Sequence, residues 1–222
     1  MAVAYVDVSL ATSASHNSSI SVTVPAGATF ALICFGGYNW ADGGADSSCS
    51  LAGQSGVFVA NAGAASGADE LSMIFRVSGF ATGSQTLAWV LNGTRDDGLQ
   101  IAVLYFSGVD GASPIRSSGT SLDASISLAL SSVADDMGVL FISDYKYDPD
   151  SSGADQTVRV NIGPYTNNYL DAATEPSTTT TTTLTGAGGG NHSAIGVVLA
   201  AAAGAGGLSI PVAMASYRRR RT

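Results

Sequence analysis

The feature that most limits what this chain can fold into is its punctuation. About a dozen short runs rich in β-branched and aromatic residues are each closed by Gly, Asn, Asp, Ser or Pro, the pattern of strands joined by turns. The runs are Val3 to Leu10, Ser19 to Val24, Thr29 to Tyr38, Gly56 to Ala60, Glu70 to Val77, Gln85 to Leu91, Gln100 to Val109, Ser121 to Leu130, Met137 to Asp144, Gln156 to Ile162, Thr179 to Leu184 and Ser193 to Ala201. In Ile20-Ser21-Val22-Thr23-Val24 the apolar side chains fall on one face and the hydroxyls on the other. That period of two sets one face on a core and the other in water. Ser121 to Leu130 reads the same way. Pro25-Ala26-Gly27 closes one strand, and Asn92-Gly93-Thr94 with Asp96-Asp97-Gly98 predicts a hairpin-like connection between two apolar runs.

No stretch sustains the 3.6-residue period of a capped helix. The expected fold is therefore all-β, a two-sheet antiparallel β-sandwich of jelly-roll type with a short C-terminal extension. A chain of 222 residues fits one such domain without disulfide or metal staples. No repeat of fixed period and no break in composition divides the body. Residues 1–203 thus read as one sandwich and residues 204–222 as a Gly/Ala arm with a basic tip.

Charge narrows the function. Only 12% of residues are charged, about half the usual share, so the surface is built from Ser, Thr, Asn, Gly and Ala. Such a surface is poor for a free cytosolic monomer and tolerable for a subunit packed into an assembly, and it is also compatible with a secreted protein. Of 9 basic residues, four are Arg218, Arg219, Arg220 and Arg221, which leaves five against 17 acidic ones in the body. An acidic body repels phosphate backbones, so no nucleic-acid partner is expected for it. The basic tip is expected to be an assembly contact, its guanidinium forks suited to a neighbour's carboxylates.

The N-terminus Met1-Ala2-Val3-Ala4-Tyr5 lacks the basic and apolar regions of a signal peptide. Ala194 to Tyr217 is uncharged and long enough for a membrane span, but its Gly, Ala, Ser and Pro content favours a last core strand and an arm. Cys34 lies in an apolar run and reads as a buried free thiol; Cys49 reads as part of a Ser/Gly/Asp-rich loop, and no disulfide framework joins the two. The threonine run Thr178 to Thr183 reads as an exposed edge strand.

Chemistry-bearing constellations are sparse. His16 and His192 are the only imidazoles. Neither accompanies a nucleophile-elbow motif, both read as solvated loop residues, and no enzymatic activity or cofactor is expected. Asp148, Asp150 and Asp155 around Gly153 offer oxygens to a hard cation. They lack EF-hand spacing and a closing Glu, so a plain turn is the simpler reading. Trp40 and Asp42, in an Asp/Gly-rich stretch, offer a stacking face and an acceptor for a sugar.

Thr23-Val24-Pro25-Ala26-Gly27 before an apolar strand, Val103-Leu104-Tyr105-Phe106-Ser107-Gly108-Val109-Asp110 with Pro114 soon after, and Asn191-His192-Ser193-Ala194-Ile195-Gly196-Val197-Val198-Leu199 resemble jelly-roll-like modules of phage and prophage virion proteins. The Arg-ended extension departs from that pattern. The resemblance implies a head-decoration, fibre or tail-surface protein, made in the host cytoplasm and incorporated into the virion. Its partners would be other virion proteins and copies of itself. The alternative is a receptor- or glycan-binding module whose partner is a host surface glycan.

Overall fold

In a computed structural model of the chain, the described residues are 1–38, 47–63, 70–92, 98–145, 147–165, 168–189 and 192–203. They form strands β1 (Ala4–Ser13), β2 (Asn17–Val24), β3 (Phe30–Tyr38), β4 (Ser48–Leu51), β5 (Gln54–Ser55), β6 (Val57–Ala62), β7 (Glu70–Ser78), β8 (Gly83–Val90), β9 (Leu99–Ser107), β10 (Ile115–Ser121), β11 (Ser125–Ser131), β12 (Met137–Tyr145), β13 (Thr157–Tyr165), β14 (Asn168–Pro176), β15 (Thr181–Ala187) and β16 (His192–Leu199). No helix occurs among the described residues. The protein is an all-β antiparallel β-sandwich, and the sandwich is built twice.

The first nine strands pair in nested fashion, β1 with β9, β2 with β8 and β3 with β7. The last seven repeat the nesting, β10 with β16, β11 with β15 and β12 with β14. This folding of a long hairpin onto itself is the jelly-roll plan. One inner sheet runs β1-β9-β3-β7-β6 and the other β10-β16-β12-β14-β13; the outer sheets are β2-β8-β4-β5 and β11-β15. Even the irregularities coincide. A bulge falls at Val6 in β1 and at Arg116 in β10, where it precedes the same pairing step. A second falls at Val59 in β6 and at Arg159 in β13. Registers make Phe30 equivalent to Met137, Phe106 to Leu199 and Asn61 to Asn161.

The two inner sheets lie face to face. β3 meets β12 at the centre; β7 meets β12 and β16, and reciprocally β14 meets β3 and β9. β6 meets β10 as β13 meets β1. Such reciprocity is the mark of a two-fold, isologous interface, here within one chain. The layer order is outer sheet, inner sheet, inner sheet, outer sheet, and three cores fill the gaps. Ile33, Phe35, Phe75, Trp89 and Tyr105 pack in the first, Leu32, Phe106, Phe141, Ile195 and Val197 in the middle, and Leu140, Ile142, Leu184 and Val198 in the third. The central strands of the inner sheets are covered on both faces. That is why Ala31 to Phe35, Ile101 to Phe106 and Val139 to Ile142 are apolar without alternation.

Three expectations change. Residues 93–97 of the expected hairpin connection lie outside the described residues, but the strands on either side of it do not pair with each other: β8 pairs with β2 and β4, and β9 with β1 and β3. The run Ser121 to Leu130 is two strands, because the chain turns at Leu122 to Ala124 from an inner sheet to an outer one. Cys49 lies in β4, facing the first core. Cys34 and Cys49 are both buried free thiols.

Candidate functional site

The outer sheets alternate as the sequence predicts. In the first, Ile20, Val22, Val24, Leu87, Trp89, Cys49 and Leu51 turn inward. The registers then align Asn17, Val90 and Ser48 in one outward row and Ser19, Ala88 and Ser50 in the next, followed by Ser21 with Thr86 and Thr23 with Ser84. The first two rows, with Ser55 and Gly56, line a shallow groove of about 600 Å³. In the second outer sheet the outward rows are Ser125 with Ala187, Ser127 with Thr185, Ala129 with Thr183 and Ser131 with Thr181. Not one residue of β2, β4, β5, β8, β11 or β15 is charged. Both ends of the four-layer stack therefore present small, hydroxyl-rich, uncharged faces.

A second feature lies beneath the second outer sheet. Equivalent positions of the two halves carry Gly37 and Asp144, Met73 and Asp171, Leu99 and His192, and Leu51 and Ser151. The first half fills this layer with apolar groups; the second fills it with polar ones, all buried. Gly189 N–H donates to Asp144 Oδ2, and His192 Nδ1 meets the Gly189 carbonyl at 2.8 Å. A carbonyl only accepts, so Nδ1 carries the proton. Ser151 N–H donates to Asp171 Oδ2 at 2.9 Å. Burial raises the Asp144 carboxyl above its usual range, and burial pushes Asp171 up to about 6 against the opposing Ser151 bonds. Asp144 Oδ1, Asp171 Oδ1 and His192 Nε2 have no hydrogen-bond partner among the described residues.

His192 is thus a buried residue of β16 and not a solvated loop residue. The Gly188 and Gly189 that precede it concealed this, because they read as a turn that leaves the histidine outside. Asp148, Asp150 and Asp155 lie in the segment between β12 and β13. Asp148 Oδ1 accepts from Asn161 Nδ2 at 3.4 Å. Asp150 exchanges backbone bonds with Ala187 and accepts the Ser152 N–H on Oδ1 at 2.8 Å. Asp155 adopts a left-handed backbone, φ 64°. No group of three or more His, Cys, Asp or Glu among the described residues is placed to hold a metal ion. Trp40 and Asp42, and Arg218, Arg219, Arg220 and Arg221, lie outside the described residues. No described helix is long and apolar enough to cross a membrane. No protein-family model matches the chain, no curated protein matches its sequence, and no solved structure matches its fold.

Proposed function

We propose that the chain is a structural module of a virion-type assembly, held in place by its two uncharged outer faces. The observation that carries this reading is the absence of charge from every strand of both outer sheets. Sheets that face water as monomers are commonly guarded by Lys and other charges. Small Ser, Thr and Ala side chains lose little rotamer entropy when covered, which suits a face that spends its life against a neighbour. Lysines placed outward at Ser21 and Thr183 test it. The expected result is reduced incorporation into particles, or reduced oligomer mass in isolation, with an unchanged melting temperature. Unaltered assembly of both variants rejects the reading.

The groove across β2, β8 and β4 favours a second reading, a glycan-binding surface module. Its Ser and Asn side chains are donors and acceptors for sugar hydroxyls. A glycan array distinguishes the two: selective, saturable binding abolished by Ser50→Arg supports the second, and no binding leaves the assembly role.

A further inference from the structure

We propose that residues 147–156, together with Gly188 and Gly189, form an acid-locked latch over the third core, closed in mildly acidic solution and loosened in neutral and alkaline solution.

The first half of the molecule supplies the control. There the corresponding layer is β4 seated by Cys49 and Leu51 over Met73 and Leu99, described side chains that include no Asp, Glu or His. In the second half the pairing shrinks to one bridge between Asp150 and Ala187. The rest of the segment is held by polar side chains. Asp171 takes the Ser151 amide. Gln156 Nε2 donates to the Ser151 carbonyl at 2.6 Å and to the Thr185 carbonyl at 3.0 Å, while its Oε1 accepts the Thr185 N–H. Asp144 and His192 hold Gly189, against which the Tyr147 ring packs so closely that a Cβ there would lie 2.2 Å from it. The fold does not need these carboxylates, since its other half is built without them. What they add is a dependence on protonation.

The direction follows from their surroundings. Asp171 is 2% exposed, on the face of β14 that points at the latch. Charged, it has too few donors and is repelled by Asp148. Asp144 faces His192 on β16 and Tyr169 on β14. Glu175 lies further along the same face of β14, raised by burial and by Asp155; Asp150, lowered by its Ser152 bonds, sits in the latch. His192 favours the charged form of Asp144, but no positive group among the described residues acts on Asp171. Opening the segment lets water solvate Asp171, so the ionised form favours the open state and the neutral form the closed one.

Hydrogen exchange of peptides covering 147–156, corrected for the intrinsic pH dependence, reads the latch directly. Between pH 5 and pH 8 protection in the wild type should fall by about tenfold, the part of the linkage that remains above pH 5 for a carboxyl that titrates near 6 when closed and near its ordinary value when open. Asp171→Met, which installs the first half's residue, and Asp171→Asn should remove that dependence. Equal protection at the two pH values in the wild type overturns the proposal, as does a dependence that survives in both variants. Should neither variant fold, the carbon-13 carboxyl titration of Asp171 in the wild type decides: an ordinary aspartate value overturns it.

Discussion

Gly36 and Ser143 hold the same position in the two halves and touch across the interface between the inner sheets; a Cβ on Gly36 would lie 2.4 Å from Ser143 Oγ and 2.9 Å from Ser143 Cβ. Two equivalent residues meet in this way where a two-fold axis passes between them. Close packing there leaves room for one side chain, not two.

The first prediction follows. Gly36→Ala should destabilise by about 1–3 kcal/mol through overpacking. Combining it with Ser143→Gly exchanges which half carries the side chain. The Leu170 methyl, at 3.5 Å, is then an ordinary contact, so the pair should recover most of the loss. Urea unfolding of the two single variants and the double one measures the coupling. Additive losses would show that the two sites do not share one gap.

Arg159 carries the second prediction. It occupies the β13 bulge, where the first half has Val59. Its guanidinium lies 4.3 Å from the Tyr5 ring centroid, and its Nε donates to Thr174 Oγ1 at 2.8 Å. The contact joins the two halves at the rim of the middle core. Arg159→Ala should cost about 1–2 kcal/mol, Tyr5→Leu somewhat less. The two losses should be non-additive in thermal unfolding, since either change removes the same stack.

Much of the fold was legible and the duplication was not. Equivalent positions drift: Tyr5 answers to Ile115, Phe30 to Met137, Val57 to Thr157 and Phe106 to Leu199. Loops of unequal length thus erase any fixed period. Ser19-Ile20-Ser21 beside Ser125-Ile126-Ser127 is the surviving trace. β14 escaped notice because Asn168-Tyr169-Leu170-Asp171-Ala172-Ala173-Thr174-Glu175-Pro176 has one β-branched residue and two acids. Its place between β12 and β13, and not intrinsic propensity, makes it a strand. The buried polar layer was invisible for a related reason. Asp171 reads as a turn residue until its neighbours across the sheet are known.

Burial fixes the thiol chemistry. Cys34 is wholly enclosed in the middle core and its thiol is pushed far up; burial pushes Cys49 up to about 12. Neither forms thiolate near neutral pH. Iodoacetamide at pH 8 should label neither in the native protein and both in urea. Rapid native labelling of Cys49 would show that β4 opens readily.

The terminal arginines yield a prediction through charge alone. The described body ends beside the N-terminus, where the Met1 ammonium donates to the Ala202 carbonyl at 2.9 Å. If Arg218 to Arg221 dock on a neighbour's acidic loops, deleting residues 218–222 should weaken assembly. High salt should weaken wild-type assembly in the same way. Each exposed pair contributes only about 0–1 kcal/mol, so the effect depends on several acting together. Assembly unchanged at low and high salt would exclude the contact.

Asp136 sets a pH limit opposite in sign to that of Asp171. Its side chain is fully buried just before β12, so burial alone would raise its carboxyl. The Arg116 guanidinium, the Ala201 N–H at 2.8 Å and the Val133 N–H at 2.9 Å outweigh that and hold it below the usual range. These bonds tie the β10 bulge, the loop before β12 and the end of β16 into one corner. A lowered folded pKa means stability that is present above the ordinary aspartate range and lost as pH falls through the folded value. Asp136→Ala should cost about 3 kcal/mol at pH 7, since it strands Arg116 and two amides. The variant's deficit should shrink as pH falls toward 2, where the wild-type carboxyl is itself protonated. Urea midpoints at pH 7, 4 and 2.5 measure it. A deficit that stays constant across that range would mean that Asp136 acts through packing and not through its charge.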